Sequence, residues 1–235
     1  MSIHILATGT SRGIGASIVQ SFAPDDVRLI GHSTSGSLDA IAADLSQPGA
    51  AKALWWEAIN CLDGRIDVLI NNAGIFEAAP IEQPDQEWLD AWERTMRINL
   101  TSAAELSRLA VLHFKEKGGG KIVNVASRAA YRGDSPDHWH YAASKAGMVA
   151  MTKSIARGYA RDNILAFVVC PGFTMTGMAE DYLASRGGER PLADIPLGRV
   201  ADPAEIAAAV RFLALEAPAS MTGAVIDING ASYVR

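Results

Sequence analysis

Cysteine is scarce in this chain: 235 residues hold two, Cys61 and Cys170. They fall at a predicted helix end and a predicted buried strand end. No disulfide framework is suggested, and a reducing, cytoplasmic setting fits. An excess of positive charge is also missing. Lys and Arg number 21 against 26 Asp and Glu, a net charge of −5, with no basic stripe. That argues against nucleic acid as a partner. No window approaches the roughly 20 apolar residues of a membrane span. The chain enters a strand at Ile3 without a basic region or long apolar run, so no signal peptide is expected. Repeats, low-complexity tracts and linkers are absent, which makes one domain, residues 1–235, the simplest count. Hydrophobic residues make up 49% and charged residues 20%, the balance of an ordinary globular core.

What is present is an alternation of apolar strand-like runs with helical segments. Ile3–Ala7 reads as a buried strand, and Ala16–Phe22 as a helix. Between them lies Thr8-Gly9-Thr10-Ser11-Arg12-Gly13-Ile14-Gly15. Strand, glycine-rich turn and helix open a dinucleotide fold. Glycines let the backbone approach a pyrophosphate, and the helix N-terminus offers free N–H groups. The spacing G-x-x-x-G-x-G differs from the better-known G-x-G-x-x-G.

A second strand is expected over Val27–Gly31 and a third over Asp39–Ala43, ending at Asp44-Leu45. Only His32 to Leu38, mostly Ser, Thr and Gly, separate them. A parallel crossover normally takes about a dozen residues, usually helical. The helix between strands 2 and 3 is therefore expected to be missing, leaving an open adenine side. NAD-preferring folds often end the second strand in an acid. Here the zone reads Gly31-His32-Ser33-Thr34 without one, and Arg12 in the glycine loop can reach a 2′-phosphate. Both features lean toward NADP over NAD. His32 itself reads equally as a solvent-exposed side chain.

Pro48–Leu62 is an amphipathic helix stopped by Asp63-Gly64. Ile66–Ile70 is a strand that runs into the small-residue turn Asn71-Asn72-Ala73-Gly74, where open α/β sheets bind ligands. A helical region follows from Asp85 to Lys117. Asn99 falls inside it and either distorts the helix or faces solvent; its spacing reads as structural. Lys121–Ala126 is a strand with Ser127 at its end. Tyr141-Ala-Ala-Ser-Lys145 opens the next helix, so the phenol and the ammonium share one face. A nearby cation lowers a phenol pKa, and a tyrosine so tuned can exchange a proton with a substrate oxygen. Beside this pair, Ser127 becomes a candidate donor to the same oxygen. His138-Trp139-His140 and the nearby Asp134 and Asp137 match no metal spacing, so no metal is expected. That stretch reads as a loop shaping an entrance. Ile164–Cys170 is a strand, Pro203–Leu215 a helix and Ala224–Ile228 the last strand. Residues 175–198 read as a lid. The whole implies an α/β, Rossmann-type, doubly wound parallel sheet of about seven strands.

Taken together, Thr8-Gly9-x-x-x-Gly13-x-Gly15, Asn71-Asn72-Ala73-Gly74, Asn99, Ser127, Tyr141-x-x-x-Lys145 and Pro171-Gly172 resemble the short-chain dehydrogenase/reductase family, nearly end to end. The tail from Ile195 to Gly230 is similar to bacterial 3-oxoacyl-carrier-protein reductases. The missing helix is the main departure and leaves cofactor selectivity in doubt. The resemblance implies that Tyr141 is the acid-base group and that Ser127 polarises the substrate oxygen. It implies that Lys145 lowers the Tyr141 pKa and bonds the nicotinamide ribose, while Asn99 anchors a water that links Lys145 to solvent. Thr174 and Thr176 would hold the carboxamide, Asp44-Leu45 would contact adenine, and Asn72 to Gly74 would wall the adenosine.

The expected activity is interconversion of a ketone and a secondary alcohol with NADP or NAD. Rivals are oxidation of a cyclic diol or alcohol with NAD, and a silent dinucleotide-binding regulator. Pocket candidates Phe76, Ala129, Trp139, Met175, Met178 and Tyr182 are apolar or aromatic and favour a small or medium substrate with an apolar part. The helix from Asn99 to His113 carries Ala103, Ala104, Ser107 and Ala110, a small-residue face suited to close packing across an interface. The family's habit implies a homodimer or homotetramer.

Overall fold

Every second residue of a parallel strand faces the opposite side of its sheet, and both sides must be covered when both are apolar. The computed structural model, which describes residues 2–175 and 192–235, carries this out in one seven-stranded parallel sheet of order β3-β2-β1-β4-β5-β6-β7. The strands are β1 Ile3–Ala7, β2 Val27–Ser33, β3 Ala40–Ala42, β4 Val68–Asn71, β5 Gly120–Val125, β6 Ile164–Pro171 and β7 Val225–Ile228. The helices are α1 Gly13–Ser21, α2 Ala50–Cys61, α3 Asp85–Met96, α4 Ser102–Lys117, the short α5 Ala129–Arg132, α6 Trp139–Tyr159 and α7 Pro203–Leu215.

One face of the sheet presents Leu6, Leu69, Ile122 and Ala166 to α2, α4 and α6, with Trp55 and Phe114 filling the layer. The other presents Ile5, Val68, Val123 and Phe167 to Ile18 of α1 and Ile206, Val210 and Leu213 of α7. Asp202 caps α7: its side chain accepts the Ala204 N–H and Glu205 reaches back to the cap. None of the described helices is long and apolar enough to cross a membrane.

The connection from β2 to β3 contains no helix. It can be this short because β3 pairs only with the end of β2, as Gly31↔Ala40, His32↔Ile41 and Ser33↔Ala42. The chain steps back about three residues, roughly 10 Å, instead of crossing a full strand. The order reverses between β1 and β4, which places a crevice at their carboxyl ends.

Four expectations are corrected. The second strand runs on to Ser33, two residues past Gly31. Asp85 to Lys117 is helical throughout, but residues Arg97–Thr101 form a π segment between α3 and α4. His138 to His140 are helical, not a loop: His138 ends a 3₁₀ turn and α6 starts at Trp139. The small residues of α4 turn inward. Ala103, Ser107 and Ala110 are buried within the chain's own core, so these three are no mark of an interface, while Ala104 is half-buried. Of the expected lid, residues 176–191 lie outside the described residues.

Candidate active site

The glycine loop is shaped by close approach. Gly9 has φ +70, and a Cβ on Gly15 would sit 1.9 Å from Gly9 O and 2.7 Å from Asn72 Nδ2. No side chain fits there, so a backbone cradle is forced at the start of α1, whose first turn carries no side-chain cap. The next wall is tied to it. Thr8 Oγ1 accepts the N–H groups of Asn72 and Ala73, both at 3.0 Å, and Asn72 Nδ2 donates to Thr8 O and Gly9 O.

Asn99 occupies the π segment and is fully buried. Its Oδ1 accepts from Ile75 N at 2.8 Å and its Nδ2 donates to Ile75 O at 2.9 Å. It thereby pins the exit of the Asn71–Gly74 turn, and Nδ2 also reaches Ser144 Oγ of α6 at 3.3 Å. An asparagine with both amide ends spent on backbone inside a helix is an expected cause of a local break in the i→i−4 ladder.

Ser127 follows β5, and its Oγ accepts the Ala129 N–H at 3.1 Å. Tyr141 stands on the first turn of α6, with the Ser127 hydroxyl beside it. One turn on, the buried Lys145 donates to Val125 O at 3.0 Å. Its Nζ lies 5.8 Å from the centre of the Tyr141 ring. Phe76 stacks on His138 with ring centres 3.9 Å apart and meets Tyr141 edge-on at 4.8 Å, fixing the phenol's direction.

Burial pushes the Tyr141 phenol up to about 12; the neighbouring Ser127 hydroxyl opposes this and the charge of Asp134 adds to it. Burial pulls the Lys145 ammonium down to about 8. The net shift of the phenol in the protein alone is therefore upward, with desolvation of the phenolate as its largest cause. At neutral pH the phenol holds its proton, which suits a donor.

A cavity of about 400 Å³ joins these parts. Gly9, Ser11, Arg12, Gly13, Ile14 and Gly15 line one end, with His32, Ser33, Asp44 and Leu45 beside them. Asn72, Ala73 and Gly74 line its middle, and Ser127, Tyr141, Lys145, Pro171, Gly172 and Thr174 the far end. It runs from a helix N-terminus to a Ser–Tyr–Lys cluster, as a bound dinucleotide with its reacting ring at the far end would require.

Residues 9–231 match a family model described as enoyl-(acyl carrier protein) reductase. The chain belongs to the short-chain dehydrogenase/reductase family. It is 36% identical over 242 residues to a 3-oxoacyl-acyl-carrier-protein reductase of Vibrio cholerae, covering 97% of this chain and 96% of that one. It is 34% identical over 251 residues to an acetoacetyl-CoA reductase of an Acinetobacter species, covering 98% and 97%. A crystal structure from Beutenbergia cavernae, described as an NAD(P)-dependent gluconate 5-dehydrogenase with bound NADP at low occupancy, superposes with a TM-score of 0.87. It shares 28% identity and covers 98% of this chain and 96% of that one. The protein is thus an NAD(P)-dependent oxidoreductase.

In this short-chain dehydrogenase/reductase, every expected cofactor residue among the described ones lines the cavity; Thr176 lies outside them. Substrate-pocket expectations fare worse. Phe76 lines the cavity, but Ala129 is buried and not on the lining. Trp139 is 53% exposed and meets Trp88 edge-on, while Met175 faces outward next to Thr174. Met178 and Tyr182 lie outside the described residues. Side-chain direction on a helix start cannot be read from composition, which is why Trp139 misled. Among the lining residues missed by sequence reasoning were Thr34, Ile98, Arg128, Asp134 and Phe173. Arg128 follows Ser127 directly, and adjacency to that serine was the available signal. His32, read as a possible solvent-exposed side chain, is in fact buried.

Proposed function

We propose that this enzyme reduces 3-oxoacyl thioesters to 3-hydroxyacyl thioesters with NADPH. The observation that carries the reading is Ser127, Tyr141 and Lys145 gathered at one end of a cavity whose other end is a glycine cradle. The names of the Vibrio and Acinetobacter relatives supply the substrate class. Arg12 on the lining, and the absence of an acid at the end of β2, support NADP over NAD.

The residues divide the work as follows. The cofactor, when bound, supplies a hydride to the carbonyl carbon. Ser127 Oγ–H holds the carbonyl oxygen and Tyr141 Oη–H gives it a proton, so that one ketone, one hydride and one proton yield one alcohol. Lys145 holds the ribose side of the cofactor with an ammonium that has only Val125 O as its hydrogen-bond acceptor among the described groups. Asn99 fixes the turn against which Lys145 lies: a Cβ on Gly74 would be 3.4 Å from both Asn99 Oδ1 and Lys145 Nζ. Asn99 is also the proposed anchor for a water that returns protons by way of Lys145.

Purified protein is expected to consume NADPH in the presence of acetoacetyl-CoA, faster than NADH, followed by nicotinamide absorbance. Oxidation of a cyclic diol with NAD, and no reduction of 3-oxo thioesters, would replace this reading. Cofactor binding without turnover on any carbonyl would turn it into the regulator. We further propose a homodimer or homotetramer that uses the outer faces of α4 and α6, where Leu112 is 48% exposed. Light scattering at micromolar concentration checks this, and a monomer excludes it.

A further inference from the structure

At the sheet edge where the crossover helix is missing, one imidazole ties the glycine loop to the segment that follows β3. His32 is 3% exposed, at the end of β2. Its Nδ1 lies 3.2 Å from Gly9 N and its Nε2 lies 2.9 Å from Ala43 O. A backbone amide can only donate and a carbonyl can only accept. The ring is therefore neutral, with its proton on Nε2, and both nitrogens are occupied. The backbone of the same residue continues the tie: His32 O accepts from Thr10 N at 2.9 Å and from Thr10 Oγ1 at 3.2 Å. Ala43 in turn donates to Ser33 O at 3.0 Å and leads into Asp44 and Leu45, which line the adenosine end of the cavity. No helix lies between β2 and β3, and Leu38 in that connection is fully exposed.

We infer that His32 is a positioning residue for the dinucleotide, a clamp that sets the distance between the glycine cradle and the Ala43–Leu45 wall, and that it does not read the ribose. The inference rests on the dinucleotide reading of the cavity. The position invites the opposite role, because the end of β2 is where such folds place a ribose-reading side chain. Here that side chain has no hydrogen-bonding atom left to offer. Ribose reading falls to the neighbouring lining groups, Arg12, Ser33 and Thr34. A clamp and a reader differ in one measurable respect. Loosening a clamp weakens every dinucleotide by the same factor, whereas removing a reader of the 2′-phosphate weakens NADPH alone.

The test uses the full chain and dissociation constants for NADPH and NADH from nicotinamide fluorescence, with kcat at saturating cofactor. His32→Phe keeps the ring volume and removes both nitrogens. It is expected to weaken both cofactors about tenfold by the same factor, because two part-buried backbone groups lose their partner. Its kcat is expected to fall by less than about threefold. His32→Asn, whose Oδ1 takes the place of Nδ1 toward Gly9, and His32→Gln, whose Nε2 reaches toward Ala43, should each recover part of the loss. A selective loss of NADPH overturns the inference, as does wild-type affinity in His32→Phe, which would make the ring mere packing. If His32→Phe does not fold, the Asn and Gln variants carry the same comparison: equal partial losses support the clamp, and unequal or absent losses overturn it. A wild-type chain that binds neither dinucleotide overturns the cavity reading itself; one that binds both while His32→Phe binds equally well overturns this inference alone.

Discussion

Tyr141→Phe is expected to lower turnover by about a thousandfold, within the range of a lost general acid, while cofactor affinity stays near that of the wild type. The substitution removes one oxygen. The ring remains packed edge-on against Phe76, so the cavity keeps its shape. The lost group is a phenol whose pKa desolvation pushes up to about 12, beside the Ser127 hydroxyl. In the reductive direction this proton is what the new alkoxide needs. The measurement is kcat together with the NADPH dissociation constant. Turnover within tenfold of wild type would remove Tyr141 from the proton step, since roughly 1.4 kcal/mol is all that a tenfold change represents.

Replacing Lys145 is expected to have the second largest effect, with a sign that differs between activity and stability. Lys145→Met should reduce kcat/KM about a hundredfold, because a charge-assisted bond to the cofactor is lost and with it the cation beside the proton donor. The same variant should be more stable than the wild type at pH 7. Burial holds the Lys145 pKa near 8, against 10.5 when unfolded. Below pH 8 both states carry the proton, and the native state bears the full cost of a buried ammonium. Between about 8 and 10.5 the unfolded chain binds the extra proton, so native stability rises with pH in that window. Lys145→Met lacks both the cost and the rise. Tyr141 acts in the opposite sense at higher pH. Its folded pKa near 12 exceeds 10.0, so stability falls as pH climbs between those values. Urea midpoints from pH 7 to 9.5 separate the two. A wild type whose stability does not rise between pH 8 and 9.5 relative to Lys145→Met would refute the depressed pKa. In the free enzyme, kcat/KM for ketone reduction should also decline above about pH 8 as Lys145 loses its charge.

Much of the site was legible because it is local. Gly9, Gly13 and Gly15 lie between an apolar run and a helical one, and only a turn that brings backbone close to ligand needs that spacing. Tyr141 and Lys145 are one helical turn apart, a relation fixed by helix geometry alone. The absent helix between β2 and β3 was a matter of chain length: His32 to Leu38 are too few and too polar to build one. Other features were illegible because they depend on what packs against them. Asn99 had the same sequence context whether it faced water or the Ile75 backbone. The small face of α4 was equally suited to a partner subunit and to its own sheet, and the core claimed it.

The amino-acid order by itself determined the alternation of strands and helices, the glycine cradle and the placing of phenol and ammonium on one helix face. Each follows from backbone dihedrals and spacing over a few residues. Only the tertiary structure decided the protonation of those two groups and the burial of His32 between Gly9 and Ala43. Desolvation and hydrogen bonding there depend on segments distant in sequence, which meet only when the sheet has closed around them.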